Sequence, residues 1–316
     1  MRLDDVRGTC NRIMEEVGGV IIGKQDVLEK VMLCILADGH LLFEDYPGLA
    51  KTLMAKSFAQ ALGLDFKRVQ FTPDLLPADI SGSYMLDRNT GHFNLNPGPV
   101  FCNILLADEI NRAPPRTQAA LLEAMQERQV TLEGVTHPLP RPFLVMATQN
   151  PIEYEGTYPL PEAQVDRFIM RTSVGYPGKM DEVLMLVKRK NRGTDDTSIK
   201  AVCDPSTVKD MQAAVEKVHV EDVIHEYIVS LVAATRKHTQ VEVGASPRGS
   251  LALMKLSSAR AALQGRDFVL PDDVKSLASA ALAHRLILGA DPWVRGVRPK
   301  SVIESVLRDI PVPKVE

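Results

Sequence analysis

The stretch His40-Leu41-Leu42-Phe43-Glu44-Asp45-Tyr46-Pro47-Gly48-Leu49-Ala50-Lys51-Thr52 opens the part of the chain whose pattern decides its fold. Leu41 to Phe43 form a short apolar run, Pro47 and Gly48 supply a turn, and helical spacing follows from about Thr52 to Leu62. A strand that ends in a Pro/Gly loop and passes into a helix is the unit from which a parallel sheet covered on both faces is built. The alternation continues downstream, with strands expected at Phe66 to Phe71, Cys102 to Asp108, Phe143 to Thr148 and Phe168 to Val174. With Leu41 to Phe43 they predict an α/β domain on a five-stranded parallel sheet with helices on both faces.

Upstream, apolar residues at helical spacing (Val6, Ile13, Met14, Val17) predict a helix through Glu16, and Gln25 to Leu36 repeats the pattern. Between them Val20, Ile21 and Ile22 form an apolar run bracketed by glycines, whose plainest reading is a short buried connector. Two insertions interrupt the alternation. Gly82 to Pro97 is rich in Asn, Gly and Pro, and Val130 to Pro142 contains a pattern resembling a β-hairpin around Gly134; both are expected to be exposed. After Gly175-Tyr176-Pro177-Gly178 strand signals cease, and helices are expected at Met180 to Arg189, Ser206 to Val218, Asp222 to Lys237, Pro247 to Leu263 and Asp272 to Leu286. A boundary near Pro177 divides the chain into residues 1–176, with insertions near 82–97 and 130–142, and a smaller all-helical domain over 177–316.

A chain of 316 residues exceeds the size at which single cores usually stop growing, which agrees with two domains. Hydrophobic residues at 45% and charged residues at 24% match the average soluble protein and argue against both disorder and a membrane protein. A net charge of -3 gives no general electrostatic reason to bind nucleic acid. The four cysteines form no C-x-x-C pair, the acidic Asp4 and Asp5 stand where a signal peptide needs an apolar run, and no stretch is long enough to span a bilayer. A soluble, cytoplasmic protein is expected. The histidines form no metal-ligand spacing, and the basic stretch Trp293 to Lys300 reads as a solvated loop.

The chemistry gathers at strand ends. A phosphate-binding loop needs a strand, a turn whose N–H groups converge on the anion, a lysine and a hydroxyl residue opening the next helix, and Pro47, Gly48, Leu49, Ala50, Lys51, Thr52 and Leu53 supply these. The strict pattern G-x-x-x-x-G-K-[ST] is missed at Asp45 and Ala50, and Asp45 carries the greater consequence, since it brings a negative charge toward the phosphates unless its side chain turns away. Asp108 and Glu109 end a buried strand: the first suits Mg²⁺ together with the Thr52 hydroxyl, the second suits the attacking water, and an ordinary strand-to-turn junction is the alternative. Asn150, before Pro151, is displayed at another strand end, where it suits the γ-phosphate or its water; Asn-Pro is also simply a good turn. Arg167 and Arg248 suit transition-state charge, with surface ion pairing as the plainer role for a single arginine.

In this order these elements resemble AAA+ ATPases. More narrowly, Gln70-Phe71-Thr72-Pro73-Asp74-Leu75-Leu76-Pro77-Ala78-Asp79-Ile80, Ala107-Asp108-Glu109-Ile110-Asn111-Arg112-Ala113-Pro114-Pro115 and Ala147-Thr148-Gln149-Asn150-Pro151 resemble the MoxR family of the helix-2-insert group. The resemblance runs from about Val20 to the chain's helical end. It implies ATP/ADP and Mg²⁺ as ligands, Lys51 and Thr52 as the Walker A pair, Asp108 and Glu109 as the Walker B pair, Asn150 as sensor 1, Arg167 as a finger acting on a neighbouring subunit, Arg248 as sensor 2 and Val20, Ile21 and Ile22 as an adenine-contacting segment. It also implies a homo-oligomeric ring, expected as a hexamer, that remodels or matures a client protein complex beside a partner with a von Willebrand factor A domain. Two rival readings stand beside it. One is a nucleic-acid motor or magnesium-chelatase-type subunit; the other is a nucleotide-binding scaffold with little hydrolysis, motivated by Asp45.

Overall fold

The computed structural model describes residues 1–89, 91–151 and 156–314; residue 90 of the first insertion, residues 152–155 and residues 315–316 of the helical part lie outside that description. Helix α1 (Leu3–Val20) buries Val6, Cys10, Ile13 and Val17 along one face, and α2 (Gln25–Leu36) buries most of its apolar residues. The expected connector is partly helix: α1 runs through Gly18 and Gly19 to Val20, and the Ile21 N–H bonds the Val17 carbonyl at 2.8 Å. Two adjacent glycines weaken a helix but do not end it when its other face is packed.

Strand β1 (His40–Glu44) leads through the loop into α3 (Lys51–Ala61) and β2 (Phe66–Gln70). A short helix α4 (Pro77–Ser81) precedes β3 (Gly82–Leu86) and β4 (Phe93–Pro97), and β5 (Ile104–Asp108) follows. Helix α5 (Pro115–Glu127), hairpin strands β6 (Gln129–Leu132) and β7 (Val135–Pro138), β8 (Leu144–Gln149), the short α6 (Glu162–Val165) and β9 (Phe168–Thr172) complete this part.

The five expected strands form one sheet in the order β2-β5-β8-β1-β9, every pair parallel. Alternate residues serve alternate faces. Leu41, Phe43, Ile104, Leu106, Leu144 and Met146 join a cluster with α1, α2 and α3, whereas Leu42, Leu105, Ala107, Val145 and Ala147 pack with Leu121, Leu122 and Met125 of α5. Burial on both faces is why β1, β5 and β8 read as unbroken apolar runs, each large side chain contributing about 1.5–3 kcal/mol.

Gly82 to Pro97, expected as an exposed loop, is instead an antiparallel hairpin, Gly82 pairing with Pro97 and Leu86 with Phe93. Its strand signal is weak because consecutive Met85 and Leu86 point to opposite faces and both, with Phe93, are exposed, so no single buried face produces alternation. Gly82 is required there: at φ +87° a Cβ would lie 2.3 Å from the Asn96 carbonyl oxygen. The second hairpin turns on Glu133 and Gly134, both at positive φ, as a two-residue primed turn demands.

The remaining chain is α7 (Lys179–Arg192), α8 (Pro205–Val215), α9 (Asp222–Lys237), β10 (Val241–Val243), α10 (Pro247–Leu263), α11 (Pro271–Leu282), β11 (Ile287–Leu288), α12 (Ala290–Val294) and α13 (Pro299–Asp309). To the expected helices the structure adds a short antiparallel ladder, β10 with β11, too brief to leave a periodic signal. The basic stretch is largely exposed, as expected, but only its centre, Arg295 to Arg298, is loop. Trp293 lies in α12, Lys300 in α13, and the Arg298 guanidinium sits 5.1 Å over the Trp293 ring, while Val302, Ile303 and Val306 anchor α13. Residues of α1, α2 and α3 share one hydrophobic cluster with α8, α9, α10, α11 and α13, so the helical part rests on the helices that cover the sheet. Among the described residues no helix is long and apolar enough to cross a membrane.

Candidate functional site

Because the five strands are parallel, their carboxyl ends open on one edge, and β1 lies between β8 and β9 where successive connections diverge. Open α/β sheets bind ligands at such a point. The loop after β1 is shaped by Asp45, which is buried. Its Oδ2 accepts the N–H groups of Val174 and Gly175, both at 2.6 Å, and its Oδ1 accepts that of Tyr46 at 2.9 Å. The departure from the strict glycine pattern therefore ties the phosphate loop to the segment leaving β9, with the carboxylate turned into backbone donors. Asp45→Ala is expected to cost about 2–3 kcal/mol by orphaning those donors. Urea unfolding should show this, with Asp45→Asn losing less because one acceptor oxygen remains; equal stability of Asp45→Ala and wild type would contradict the bonding described.

Gly48 and Ala50 both take positive φ, +79° and +58°. For alanine that conformation costs about 1–2 kcal/mol, the kind of local strain found at functional sites. The Lys51 ammonium donates to the carbonyls of Asp45 and Tyr46, each at 2.9 Å. Burial lowers its pKa, opposed by the charges of Asp45, Asp108 and Glu109.

The acids at the end of β5 are held by four neighbours. The Thr148 hydroxyl donates to Asp108 Oδ1 at 2.6 Å and accepts the Glu109 N–H at 2.8 Å. Arg68 Nη2 reaches Asp108 Oδ2 at 2.7 Å, and Gln70 Nε2 donates to Glu109 Oε2 at 2.7 Å. Arg112 lies 3.2 Å from the same Glu109 oxygen. Glu109 has φ 56°, ψ 50°, a left-handed conformation unfavourable for a non-glycine residue. Thr148, Gln70 and Arg68 were missed by sequence reasoning: only the pairing of β2 with β5 and of β5 with β8 brings them to the acids.

Pro47, Gly48, Leu49, Ala50, Lys51, Thr52 and Leu53 line one cavity of about 390 Å³ with Asp108, Glu109 and Asn150, the last of these buried. Val20, Ile21 and Ile22 line an adjoining cavity of about 570 Å³ that shares Pro47 to Ala50 and Leu53 and is also lined by Tyr176 and residues of α7. An apolar recess beside a polar one suits a planar base joined to phosphates. Oxygen donors from Thr52 and Asp108 suit Mg²⁺, which binds through one or two protein oxygens plus phosphates and water. Among the described residues there is no group of three His, Cys, Asp or Glu that could hold a metal.

Arg167 and Arg248 lie elsewhere. Both line a cleft of about 430 Å³ with Asp38, His40, Ile169 and Arg285, at the amino ends of β1 and β9, and the cleft shares no residue with the phosphate-loop cavity. The residues beside them, Asp166 and Ser246, are joined by a partly buried junction. Arg285 Nε donates to Asp166 Oδ1 at 2.7 Å, and the Ser246 hydroxyl donates to Asp166 Oδ2 at 2.9 Å while accepting the Arg248 N–H at 3.1 Å. Arg248 is exposed, and the Nε of Arg167 is buried with no hydrogen-bond partner among the described residues.

Residues 40–170 match the model of the ATPase family associated with various cellular activities (AAA), and residues 233–306 match an AAA lid domain. The chain is 44% identical over 310 residues to the YeaC protein of Bacillus subtilis, covering 98% of this chain and 97% of that one. It is 42% identical over 316 residues to Chaperone MoxR1 of Mycobacterium tuberculosis, covering 97% of this chain and 83% of that one. The structure of a proposed ATPase from Cytophaga hutchinsonii superposes with a TM-score of 0.92 at 39% identity, covering 99% of this chain and 97% of that one. With the sheet, the phosphate loop and the helical lid in place, the chain belongs to the MoxR family of AAA+ ATPases.

Proposed function

We propose that the chain is a Mg²⁺-dependent ATP hydrolase whose site is completed by a neighbouring copy in a ring, expected as a hexamer. The observation that carries this is the separation of Arg167 and Arg248 from the phosphate loop of their own chain. Two arginines that flank the Asp166–Arg285–Ser246 junction and share no cavity with Lys51 have a chemical purpose if they meet another protomer's phosphates. In this proposal Lys51 leaves its two loop carbonyls for the phosphate oxygens, Glu109 takes a proton from the attacking water, and Asn150 orients that water. Mg²⁺, held by Thr52 and Asp108, supplies charge neutralisation on the transferring phosphoryl group. Val20, Ile21 and Ile22 receive the adenine.

The proposed division is residues 1–176 as the nucleotide core, with insertions near 82–97 and 130–142, and residues 177–316 as the lid. Remodelling of a client complex beside a partner bearing a von Willebrand factor A domain is carried over from the family resemblance, and the naming of a relative as a chaperone supports the chaperone-like part. Four free cysteines suit the reducing cytoplasm as the compartment.

Lys51→Ala tests the phosphate loop. Loss of a charged donor is expected to weaken binding of a fluorescent ATP analogue by about 10- to 100-fold, the equivalent of about 1.5–3 kcal/mol. Unchanged affinity in a folded variant would overturn the assignment.

A further inference from the structure

Arg68 sits on β2, one strand away from the acids, and its guanidinium makes two contacts to a single oxygen of Asp108: Nη2 at 2.7 Å and Nε at 3.1 Å. The other Asp108 oxygen accepts the Thr148 hydroxyl at 2.6 Å, so both oxygens are engaged, one of them by a full positive charge. Nη2 also donates to Gln70 Oε1 at 2.8 Å, which fixes the guanidinium from behind. Asp108 has 13% of its side chain exposed and Arg68 47%, so the pair lies at the mouth of the phosphate-loop cavity, screened but not dissolved by solvent.

A guanidinium does not lose its proton in a protein, so its charge leaves the carboxylate only if the side chain moves. A divalent ion drawn to Asp108 and Thr52 meets that fixed charge on the same carboxylate. Two cations served by one carboxylate repel each other, and the gain from either is reduced by the presence of the other. We propose that Arg68 competes with Mg²⁺ for Asp108 and so sets the Mg²⁺ concentration at which the site takes nucleotide. Arg68 is then a positioning residue, rotating away from Asp108 as the metal–nucleotide complex enters and returning as it leaves. The same pairing has an opposite consequence for nucleotide without metal: Arg68 neutralises Asp108, which would otherwise repel the phosphates.

This inference rests on the nucleotide reading of the preceding section, and its test separates the two. Binding of fluorescent ADP is measured for wild type, Arg68→Gln and Arg68→Lys, first over a Mg²⁺ titration and then with the metal chelated; ADP keeps turnover out of the readout. Arg68→Gln is expected to lower the Mg²⁺ concentration for half-maximal binding by about fivefold, the effect of removing one half-exposed ion pair, and to weaken metal-free ADP binding by a similar factor. Arg68→Lys, which keeps the charge, is expected to stay near wild type in both. A thermal melt establishes that the variants are folded. An unshifted Mg²⁺ midpoint, or a loss of affinity under both conditions, would overturn the proposal alone, since the second pattern belongs to a residue that grips phosphate or merely supports the fold. Absence of ADP binding by the wild type at every Mg²⁺ concentration would overturn the nucleotide reading and this proposal with it.

Discussion

Glu109→Gln is expected to bind ATP with wild-type affinity while releasing phosphate about 10²- to 10⁴-fold more slowly, the range contributed by a positioned general base. The substitution keeps the side chain's shape, so the contacts from Gln70 at 2.7 Å and Arg112 at 3.2 Å retain an acceptor oxygen. It also keeps the backbone demand: the Glu109 N–H still reaches the Thr148 hydroxyl, and the left-handed φ of 56° is as costly for Gln as for Glu. What is lost is the ability to take a proton. Calorimetric binding beside a steady-state phosphate assay separates the two effects, and undiminished phosphate release would remove Glu109 from the reaction. The scaffold alternative predicts that wild type and variant both hydrolyse almost nothing.

Arg167→Ala is expected to slow turnover by about 10³- to 10⁵-fold, the contribution of an arginine finger, with ATP affinity little changed. The geometry adds a sharper form of the test. Arg167 and Lys51 line separate cavities of one chain, so in a ring each interface draws one from either neighbour. Mixing Arg167→Ala protomers with Lys51→Ala protomers should restore part of the activity, because some interfaces pair an intact phosphate loop with an intact arginine. No recovery on mixing, from proteins shown to co-assemble, would place the action of Arg167 within its own chain. Full turnover by Arg167→Ala alone would end its candidacy.

The elements legible in the sequence are those whose burial is nearly uniform. β5 and β8 pass through the middle of the sheet and are covered on both faces, so Ile104 to Ala107 and Leu144 to Ala147 read as strands without further help. Helix α5 was not among the expected helices, although proline at its first turn is a start signal, because its buried face mixes Thr117 and Gln118 with Leu121, Leu122 and Met125 and so reads as only weakly apolar. The first hairpin went unread because its apolar side chains face outward, and α13 because its amphipathic face begins beside a run of charge.

Sequence by itself determined the parallel α/β core, the loop from Pro47 to Leu53 and the adjacent acids Asp108 and Glu109, because each is written in residues that are neighbours along the chain. Tertiary structure alone decided what those residues face. It turned Asp45 toward Val174 and Gly175, brought Arg68, Gln70 and Thr148 to the acids across neighbouring strands, and set Arg167 and Arg248 together at the opposite edge of the sheet. The physical reason is packing: the strand order β2-β5-β8-β1-β9 makes neighbours of Arg68 and Asp108, 40 positions apart, and the docking of α10 and α11 against β9 does the same for Asp166 and Ser246, 80 positions apart.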